Sequence, residues 1–301
     1  MNITKKKLIV VVGPTAVGKT TFAIRLAQHF NTEIISADSR QFYREMAVGT
    51  AKPDLFELSQ AKHHFINSHS IAHKYSAGDF ERDALALLTH LFQKQNAVIM
   101  VGGSGLFVRA VCEGLDDLPK APPEVRESLN AIYREHGIEP LQERLREIDP
   151  AFFAKTDIHN PQRLIRAIEV FLATGRCFSD FQKHAAAERD FQVITIGLNL
   201  EREVLYDRIN IRVDQMVDGG LLQEAKQLIE YREEPALRTV GYAEMFEYLD
   251  GKYSLPEAIS LIKQNSRRYA KRQITWFKKH GDTQWFLPSD WDAVLSYIDG
   301  R

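Results

Sequence analysis

The chain has 301 residues, of which 44% are hydrophobic and 26% charged, so its composition excludes a disordered chain and allows one large domain or two modest ones. Its 39 Lys and Arg residues balance 40 Asp and Glu residues to a net charge of −1, which excludes a uniformly basic nucleic-acid coat but leaves a local basic patch open. The apolar run at residues 8–12 is too short to cross a membrane or to serve as a signal sequence, so we expect a cytoplasmic protein without membrane contact.

Short apolar runs alternate with amphipathic segments along the chain. Residues 8–12 are rich in β-branched side chains and predict a buried strand, and apolar residues at helical spacing follow over 21–30. Further strands are predicted at 33–37, 97–101 and 193–197, and a helix at 79–93 with a capping box of Ser76 and Asp79. This alternation predicts an α/β fold, with a parallel sheet covered by helices on both faces.

Two regions depart from this alternation. Three prolines near residue 120 mark a break, after which charged helical segments predict a helical insertion domain at 115–189, between core segments 1–114 and 190–301. After residue 197 the chain is predicted to be helical throughout. One helix there has an apolar stripe from Leu205 to Val217, and the last long helix begins at a capping box of Ser254 and Glu257.

One stretch matches the phosphate-loop pattern G-x-x-x-x-G-K-[ST]. It consists of Gly13, Pro14, Thr15, Ala16, Val17, Gly18, Lys19 and Thr20. A β-branched strand precedes it and an amphipathic helix follows, which is the context in which backbone N–H groups and a helix N-terminus bind phosphate. Lys19 would supply a positive charge to the phosphates and Thr20 a hydroxyl for Mg²⁺. The sequence therefore predicts a P-loop NTPase-like sheet that binds a phosphorylated ligand.

The residues that follow the other predicted strands indicate the chemistry. Nucleotide hydrolases usually place an Asp after a buried strand to hold Mg²⁺, but the strand at 97–101 is followed by Gly102, Gly103 and Ser104. The acid is Asp38, which follows the second strand and is expected at the same edge of the sheet as the phosphate loop. It could bind Mg²⁺, act as a general base, or only cap the next turn.

The phosphate loop and six further stretches occur in the order and spacing of one family. The stretches are 37–44 (ADSRQFYR), 49–53 (GTAKP), 102–106 (GGSGL), 160–169 (NPQRLIRAIE), 240–242 (VGY) and 268–277 (RYAKRQITWF). In these the chain resembles the bacterial tRNA dimethylallyltransferases over almost its whole length. The resemblance implies transfer of a dimethylallyl group from dimethylallyl diphosphate to N6 of the adenosine 3′ of the anticodon. It departs at Phe107, where the family commonly has Tyr, and in the loop at 157–160.

The resemblance also implies roles for individual residues. The phosphate loop would bind the diphosphate together with Mg²⁺, with Lys19 and Arg212 acting on the leaving group, and Asp38 would be the general base. Residues implied to contact tRNA are Asp38, Ser39, Arg40, Gln41, Ser104, Arg126, Gln162, Arg163, Leu164, Ile165, Arg166, Arg238, Gly241 and Tyr242. On the residues alone Arg212 would be placed at a solvated helix edge, and only the resemblance gives it a role.

The last long helix carries the basic surface that an RNA substrate requires. Lys263, Arg267 and Lys271 recur every four residues, and no Asp or Glu occurs between residues 263 and 279. This pattern predicts contacts to RNA phosphates, although a solvated helix face with buried aromatic residues would give a similar sequence. No obligatory protein partner is indicated.

The remaining histidines and cysteines give no metal site. His63, His64, His69 and His73 lack the spacing of a zinc site, so a polar loop is expected. Cys112 and Cys177 are far apart, which argues against a disulfide framework and favours a reducing compartment, with both as small apolar residues.

Three other functions fit parts of this pattern. A small-molecule kinase or NTPase would use the phosphate loop to turn over ATP. An isopentenyltransferase of free adenine nucleotides would share the donor and the chemistry, but it needs neither the helical insertion nor the basic helix. A non-catalytic RNA-binding protein would not require Lys19, Thr20 and Asp38 together.

Overall fold

The core of the protein is a parallel sheet. The computed structural model describes residues 5–182 and 186–301, and these contain six strands in one sheet. The strands are β1 (Lys7–Val12), β2 (Ile34–Ser36), β3 (His63–His64), β4 (Ala97–Val101), β5 (Gln192–Leu198) and β6 (Thr283–Phe286). Their order is β3-β2-β4-β1-β5-β6, with every neighbouring pair parallel. The predicted parallel α/β sheet is confirmed.

Helices follow the strands through the chain. They are α1 (Lys19–His29), α2 (Leu55–Gln60), α3 (Ala77–Leu91), α4 (Gly105–Glu113), α5 (Pro123–His136), α6 (Glu139–Ile148), α7 (Pro150–Phe153), α8 (Pro161–Thr174), α9 (Arg202–Asp218), α10 (Leu221–Gln227), α11 (Tyr242–Leu249), α12 (Leu255–Lys279) and α13 (Trp291–Asp299). The predicted capping boxes at Ser76 and Ser254 are both present, and they fix where α3 and α12 begin.

Strand β1 lies at the centre of the sheet, between β4 and β5. Its residues 8–12 are fully buried because helices cover both faces of the sheet. Ile9 and Val11 belong to an apolar cluster with residues of α1, α9, α12 and α13, whereas Leu8 and Val10 belong to a second cluster with residues of α3 and α4. Burial of each such side chain contributes about 1.5–3 kcal/mol relative to an exposed one.

Two edge strands were not predicted. Thr283–Phe286 pairs with β5, so the prediction that the chain is helical throughout after residue 197 is wrong there. His63–His64 pairs with β2 at the other edge, where a loop was expected. Strands of four and two residues are too short to show an alternating pattern, and their pairing depends on strands that are distant in the sequence.

The chain divides into two compact units, Met1–Gly114 with Glu188–Arg301, and Leu115–Ala187. The smaller unit contains α5 to α8, packed around leucine and isoleucine side chains. At its centre Glu169 is only 2% exposed and accepts hydrogen bonds from Arg126, at 2.7 and 2.8 Å, and from Arg166, at 2.6 Å. This cluster joins α5 to α8.

Within the smaller unit the structure corrects two implied tRNA contacts. Leu164 and Ile165 are fully buried in the core of that unit, so their side chains pack against other helices instead of facing RNA. Gln162 and Arg163 are exposed at the start of the same helix. Arg126 and Arg166 retain partly exposed guanidinium groups while they bind Glu169.

The basic face of α12 also differs from the prediction. Lys263 forms an ion pair with Asp214 of α9 at 2.7 Å, and Arg267 donates to the side chain of Asn210, also on α9, at 2.6 Å. The compensating acid therefore comes from a different helix, which a count along α12 alone could not reveal. Arg268, Lys271 and Arg272 are more exposed and leave a smaller basic surface.

In the described part of the chain, none of the helices is long and apolar enough to span a bilayer.

Candidate active site

A cavity of about 520 Å³ lies at the carboxyl edge of the sheet, where β1 and β2 end. Lys19 and Thr20 of the phosphate loop line it, together with Asp38 from the segment after β2 and Arg212 from α9. Parallel strands bring these residues to one edge, although more than 190 positions separate the first from the last. The structure thus places all the residues implied to act on the reacting groups in a single cavity.

The phosphate loop has the local geometry of an anion site. Gly18 has φ of +100°, which glycine adopts without strain, and this turns the chain directly into the first turn of α1. No side chain caps that helix, so its first N–H groups remain available to a bound anion. The Lys19 ammonium donates to the carbonyl oxygen of Pro14 at 2.7 Å, which holds the side chain folded over the loop.

Two cations face this site without a full set of partners. Burial and the nearby Arg212 guanidinium lower the pKa of Lys19 from 10.5 to about 7, against the opposing effect of the Asp38 carboxylate. Burial likewise lowers the pKa of Arg212. Nη2 of Arg212 donates to the carbonyl oxygen of Ala51 at 3.3 Å, but its buried Nε has no hydrogen-bond partner among the described residues. A buried, unpaired N–H beside a second cation is suited to an anionic ligand.

Asp38 is held by its own turn. Its Oδ1 accepts from the backbone N–H of Arg40 at 3.1 Å, and its carbonyl oxygen accepts from the N–H of Gln41 at 3.1 Å. The capping interaction that was weighed as an alternative is therefore present. It occupies one carboxylate oxygen, and the residue still lines the cavity beside the two cations.

Side chains from two other elements fix the loops around the cavity. Ser104, at the start of α4, accepts from the N–H of Ser39 at 3.0 Å, and the two serine hydroxyls are 3.0 Å apart. Gln273 of α12 accepts from the N–H of Thr15 at 2.8 Å and donates to the carbonyl oxygen of Gly103 at 3.0 Å. Gln273 therefore ties the phosphate loop to the glycine-rich turn after β4.

The residues implied to contact tRNA fall into different environments in this unit. The Arg40 guanidinium lies 4.9 Å from the ring centre of Tyr269 and lines the cavity. Gln41 is buried and its amide donates to the carbonyl oxygens of residues 50 and 51, at 3.4 Å each. Arg238 is exposed and pairs with Glu233.

Tyr242 requires a correction. It is fully buried and its hydroxyl donates to Glu224 at 2.5 Å, so its side chain cannot contact RNA. Gly241, by contrast, lines the cavity. Sequence reasoning missed the roles of Gln273 and Glu224, because a single polar residue in an amphipathic helix resembles any solvated position. It also missed the contact between Tyr269 and the Arg40 guanidinium.

The Thr20 hydroxyl at the cavity is the kind of oxygen group that suits Mg²⁺. The residues that the structure describes contain no group of three or more His, Cys, Asp or Glu side chains that could hold a metal ion. Mg²⁺ needs no such group, because it is usually bound by one or two protein oxygens together with water and substrate phosphates. The Thr20 hydroxyl lines the cavity and could supply such a protein oxygen.

Comparisons with known proteins identify the family of this chain. A family model described as IPP transferase matches residues 41–280. The chain belongs to the IPP transferase family. Two relatives named tRNA dimethylallyltransferase are 54% identical (Christiangramia forsetii, 98% of both chains) and 48% identical (Cytophaga hutchinsonii, 100% of this chain and 99% of the relative). The resemblance seen in the sequence is confirmed.

Solved structures of IPP transferase relatives have the same fold. The full-length tRNA isopentenylpyrophosphate transferase of Bacillus halodurans is 40% identical, with a TM-score of 0.69 over 98% of this chain and 94% of its own. A eukaryotic dimethylallyltransferase acting on tRNA is 27% identical, with a TM-score of 0.79 over 95% of this chain and 75% of its own. The predicted P-loop NTPase-like fold is confirmed.

Proposed function

We propose that the protein transfers a dimethylallyl group from dimethylallyl diphosphate to N6 of the adenosine 3′ of the anticodon, in tRNAs that read codons beginning with U. The products are N6-dimethylallyladenosine and diphosphate. The observation that carries the proposal is that the Asp38 carboxylate and the basic side chains of Lys19 and Arg212 line a single cavity. Such a cavity can accept a proton on one side and stabilise a departing anion on the other.

On the acceptor side, the adenine amine is a poor nucleophile because its lone pair is delocalised into the ring. As the new bond forms between N6 and C1 of the dimethylallyl group, the amine becomes acidic and loses a proton. Asp38 lines the cavity beside Lys19 and would accept this proton. The turn that binds its Oδ1 would keep the side chain in place during the transfer.

On the donor side, the bond between C1 and the diphosphate oxygen breaks, and its electron pair leaves with the diphosphate. Lys19, the Nε of Arg212 and the free N–H groups at the start of α1 would bind the charge that develops on that oxygen. These groups are in position before reaction, so little reorganisation is needed. No phosphoryl group moves, which is consistent with the lack of an acid directly after β4.

Mg²⁺ is the cofactor in this proposed reaction. When bound, it would neutralise part of the diphosphate charge, with the Thr20 hydroxyl as its candidate protein ligand.

The acceptor must reach the cavity from a folded RNA. The target base would have to leave its stack to approach Asp38, since a cavity at the sheet edge does not admit the whole stacked anticodon loop. Arg268, Lys271 and Arg272 on α12 would bind backbone phosphates. We further propose a cytoplasmic location and no obligatory protein partner.

An acceptor comparison tests the proposed function. The protein would be incubated with Mg²⁺ and labelled dimethylallyl diphosphate, together with an unmodified anticodon stem-loop, AMP or no acceptor. We expect label on the stem-loop alone, and none when guanosine replaces the adenosine 3′ of the anticodon. Label on AMP would instead indicate a free-nucleotide transferase. Consumption of ATP in a parallel incubation with added ATP, without label transfer, would indicate a kinase or NTPase. RNA binding without either reaction would indicate a binding protein.

A further inference from the structure

The loop at residues 46–52 forms one wall of the cavity. The roles given above to the phosphate loop and to Asp38 do not account for its sequence. The loop contains the first four residues of the GTAKP stretch, 49–52, and these line the cavity. Residues 48–50 form a short 3₁₀ turn, and Ala51 then has φ of +43°, a left-handed conformation that is strained for a residue with a side chain. Such a conformation persists only where surrounding contacts hold it.

One carboxylate holds the start of this loop. Glu224 of α10 is 9% exposed, and its Oε2 accepts from the backbone N–H groups of Ala47 and Val48, at 2.8 Å each. Its Oε1 accepts from the N–H of Gly49 at 2.9 Å. Three consecutive N–H groups therefore converge on one carboxylate, which neutralises the positive end of the 3₁₀ turn.

Tyr242 completes the arrangement. Its hydroxyl donates to the same Oε1 of Glu224 at 2.5 Å, and burial together with this carboxylate raises the pKa of Tyr242. Its ring packs against Gly49, where a Cβ atom would lie 2.5 Å from the ring carbon Cζ. The position requires glycine because any side chain would displace either the tyrosine or the loop. The GTAKP and VGY stretches, far apart in the sequence, thus meet through Glu224.

The other end of the loop contacts the diphosphate side of the cavity. The carbonyl oxygen of Ala51 accepts from Nη2 of Arg212 at 3.3 Å and from the Gln41 amide at 3.4 Å. The Ala51 carbonyl is the hydrogen-bond partner that the structure gives the Arg212 guanidinium within the described residues, while Nε stays unpaired. The loop therefore sets the direction in which that unpaired N–H points.

We propose that Glu224 is a positioning residue for the leaving group. It would hold the loop at 46–52 so that Ala51 orients Arg212 towards the diphosphate, with Tyr242 as a secondary support. This inference rests on the proposed function only for the identity of the donor, dimethylallyl diphosphate. Its central claim, that Glu224 positions Arg212 to bind an anion, does not depend on that function. Glu224 itself contacts neither substrate in this assignment.

A binding experiment tests the claim without requiring activity. Inorganic diphosphate with Mg²⁺ would be titrated into the wild type, Glu224→Gln, and the matched control Glu230→Gln, which removes an exposed carboxylate close by in the chain. A glutamine can accept through one oxygen only and turns an NH₂ group towards N–H donors. We expect the Kd of Glu224→Gln to rise about tenfold, and that of Glu230→Gln to stay within about twofold of the wild type.

A double-mutant cycle separates positioning from a general structural role. In an Arg212→Ala background, Glu224→Gln should change the diphosphate Kd less than twofold, because the group that it orients is missing. Tyr242→Phe keeps the ring against Gly49 and removes one hydrogen bond, so it should raise the Kd about two- to threefold. Because Tyr242→Phe keeps the buried ring, it still tests the claim if Glu224→Gln fails to fold.

Steady-state kinetics gives the second measurement. We expect Glu224→Gln to raise the KM for dimethylallyl diphosphate while the KM for the stem-loop changes less than threefold. An equal loss in both Arg212 backgrounds, or an unchanged diphosphate Kd in folded Glu224→Gln and Tyr242→Phe, would overturn the inference. If the wild type transfers no dimethylallyl group but Glu224→Gln still binds diphosphate more weakly than the wild type, the proposed function is refuted. The inference about Glu224 then stands.

Discussion

The resting charge of Lys19 leads to a quantitative prediction for diphosphate binding. Its pKa is lowered to about 7, and a bound diphosphate would raise that pKa back towards the ordinary value of 10.5. At pH 8 about one tenth of the free protein then carries the ammonium charge, so binding takes up about 0.9 proton, compared with about 0.5 at pH 7 and about 0.1 at pH 6. Because the pKa rises on binding, affinity is favoured below pH 7 and falls by up to about tenfold per unit above it.

Titration calorimetry at pH 8 measures this uptake as the difference between the wild type and Lys19→Met, because any proton that diphosphate itself loses on binding is common to both. Mg²⁺ diphosphate would be titrated in two buffers with different heats of ionisation, and the difference in apparent enthalpy gives the number of protons bound. Arg212→Ala serves as an internal comparison, because removing a neighbouring cation raises the pKa of free Lys19 and reduces the uptake. An equal proton uptake by the wild type and Lys19→Met at pH 8 would refute the lowered pKa of Lys19.

Three further outcomes follow from the structure. Asp38→Asn should lower kcat by about 100-fold or more while diphosphate binds as tightly as before or more tightly, since a carboxylate beside the anion is removed; a weaker diphosphate Kd would contradict its role as a base. Lys271→Glu should weaken stem-loop binding at low salt and lose that effect at high salt, whereas Lys94→Glu, just before β4 at the opposite edge of the sheet, should not; equal effects in binding titrations would remove α12 as the RNA contact. Glu169→Ala should lower the free energy of unfolding by about 1–3 kcal/mol in urea denaturation, compared with no more than about 0.5 kcal/mol for the exposed Glu143→Ala.

The central strands and the capped helices could be predicted because their causes are local. Burial on both faces of β1 and β4 requires an unbroken apolar run, and the capping boxes at Ser76 and Ser254 use residues three positions apart. The edge strands β3 and β6 are short and depend on partners elsewhere in the chain, so the sequence contains no local signal for them.

The same distinction applies to the candidate site. The phosphate loop is contiguous, and its chemistry is visible in eight residues. Arg212 resembles a solvated helix edge in its own segment, and its hydrogen-bond partner, the Ala51 carbonyl, comes from the distant loop at 46–52. Lys263 appears free of acids along α12 but pairs with Asp214, and Leu164 lies in a basic stretch yet faces a core. In each case the deciding neighbour is distant in the sequence.

The side chain of Gln273 restricts which amino acids natural variation can place at that position. It accepts one hydrogen bond from Thr15 and donates another to Gly103. Any residue at position 273 must therefore offer both a hydrogen-bond acceptor and a donor about 5 Å from the backbone. Glutamate lacks the donor, lysine lacks the acceptor, and asparagine is one methylene too short. A substitution at this position would therefore remove contacts to two loops at once.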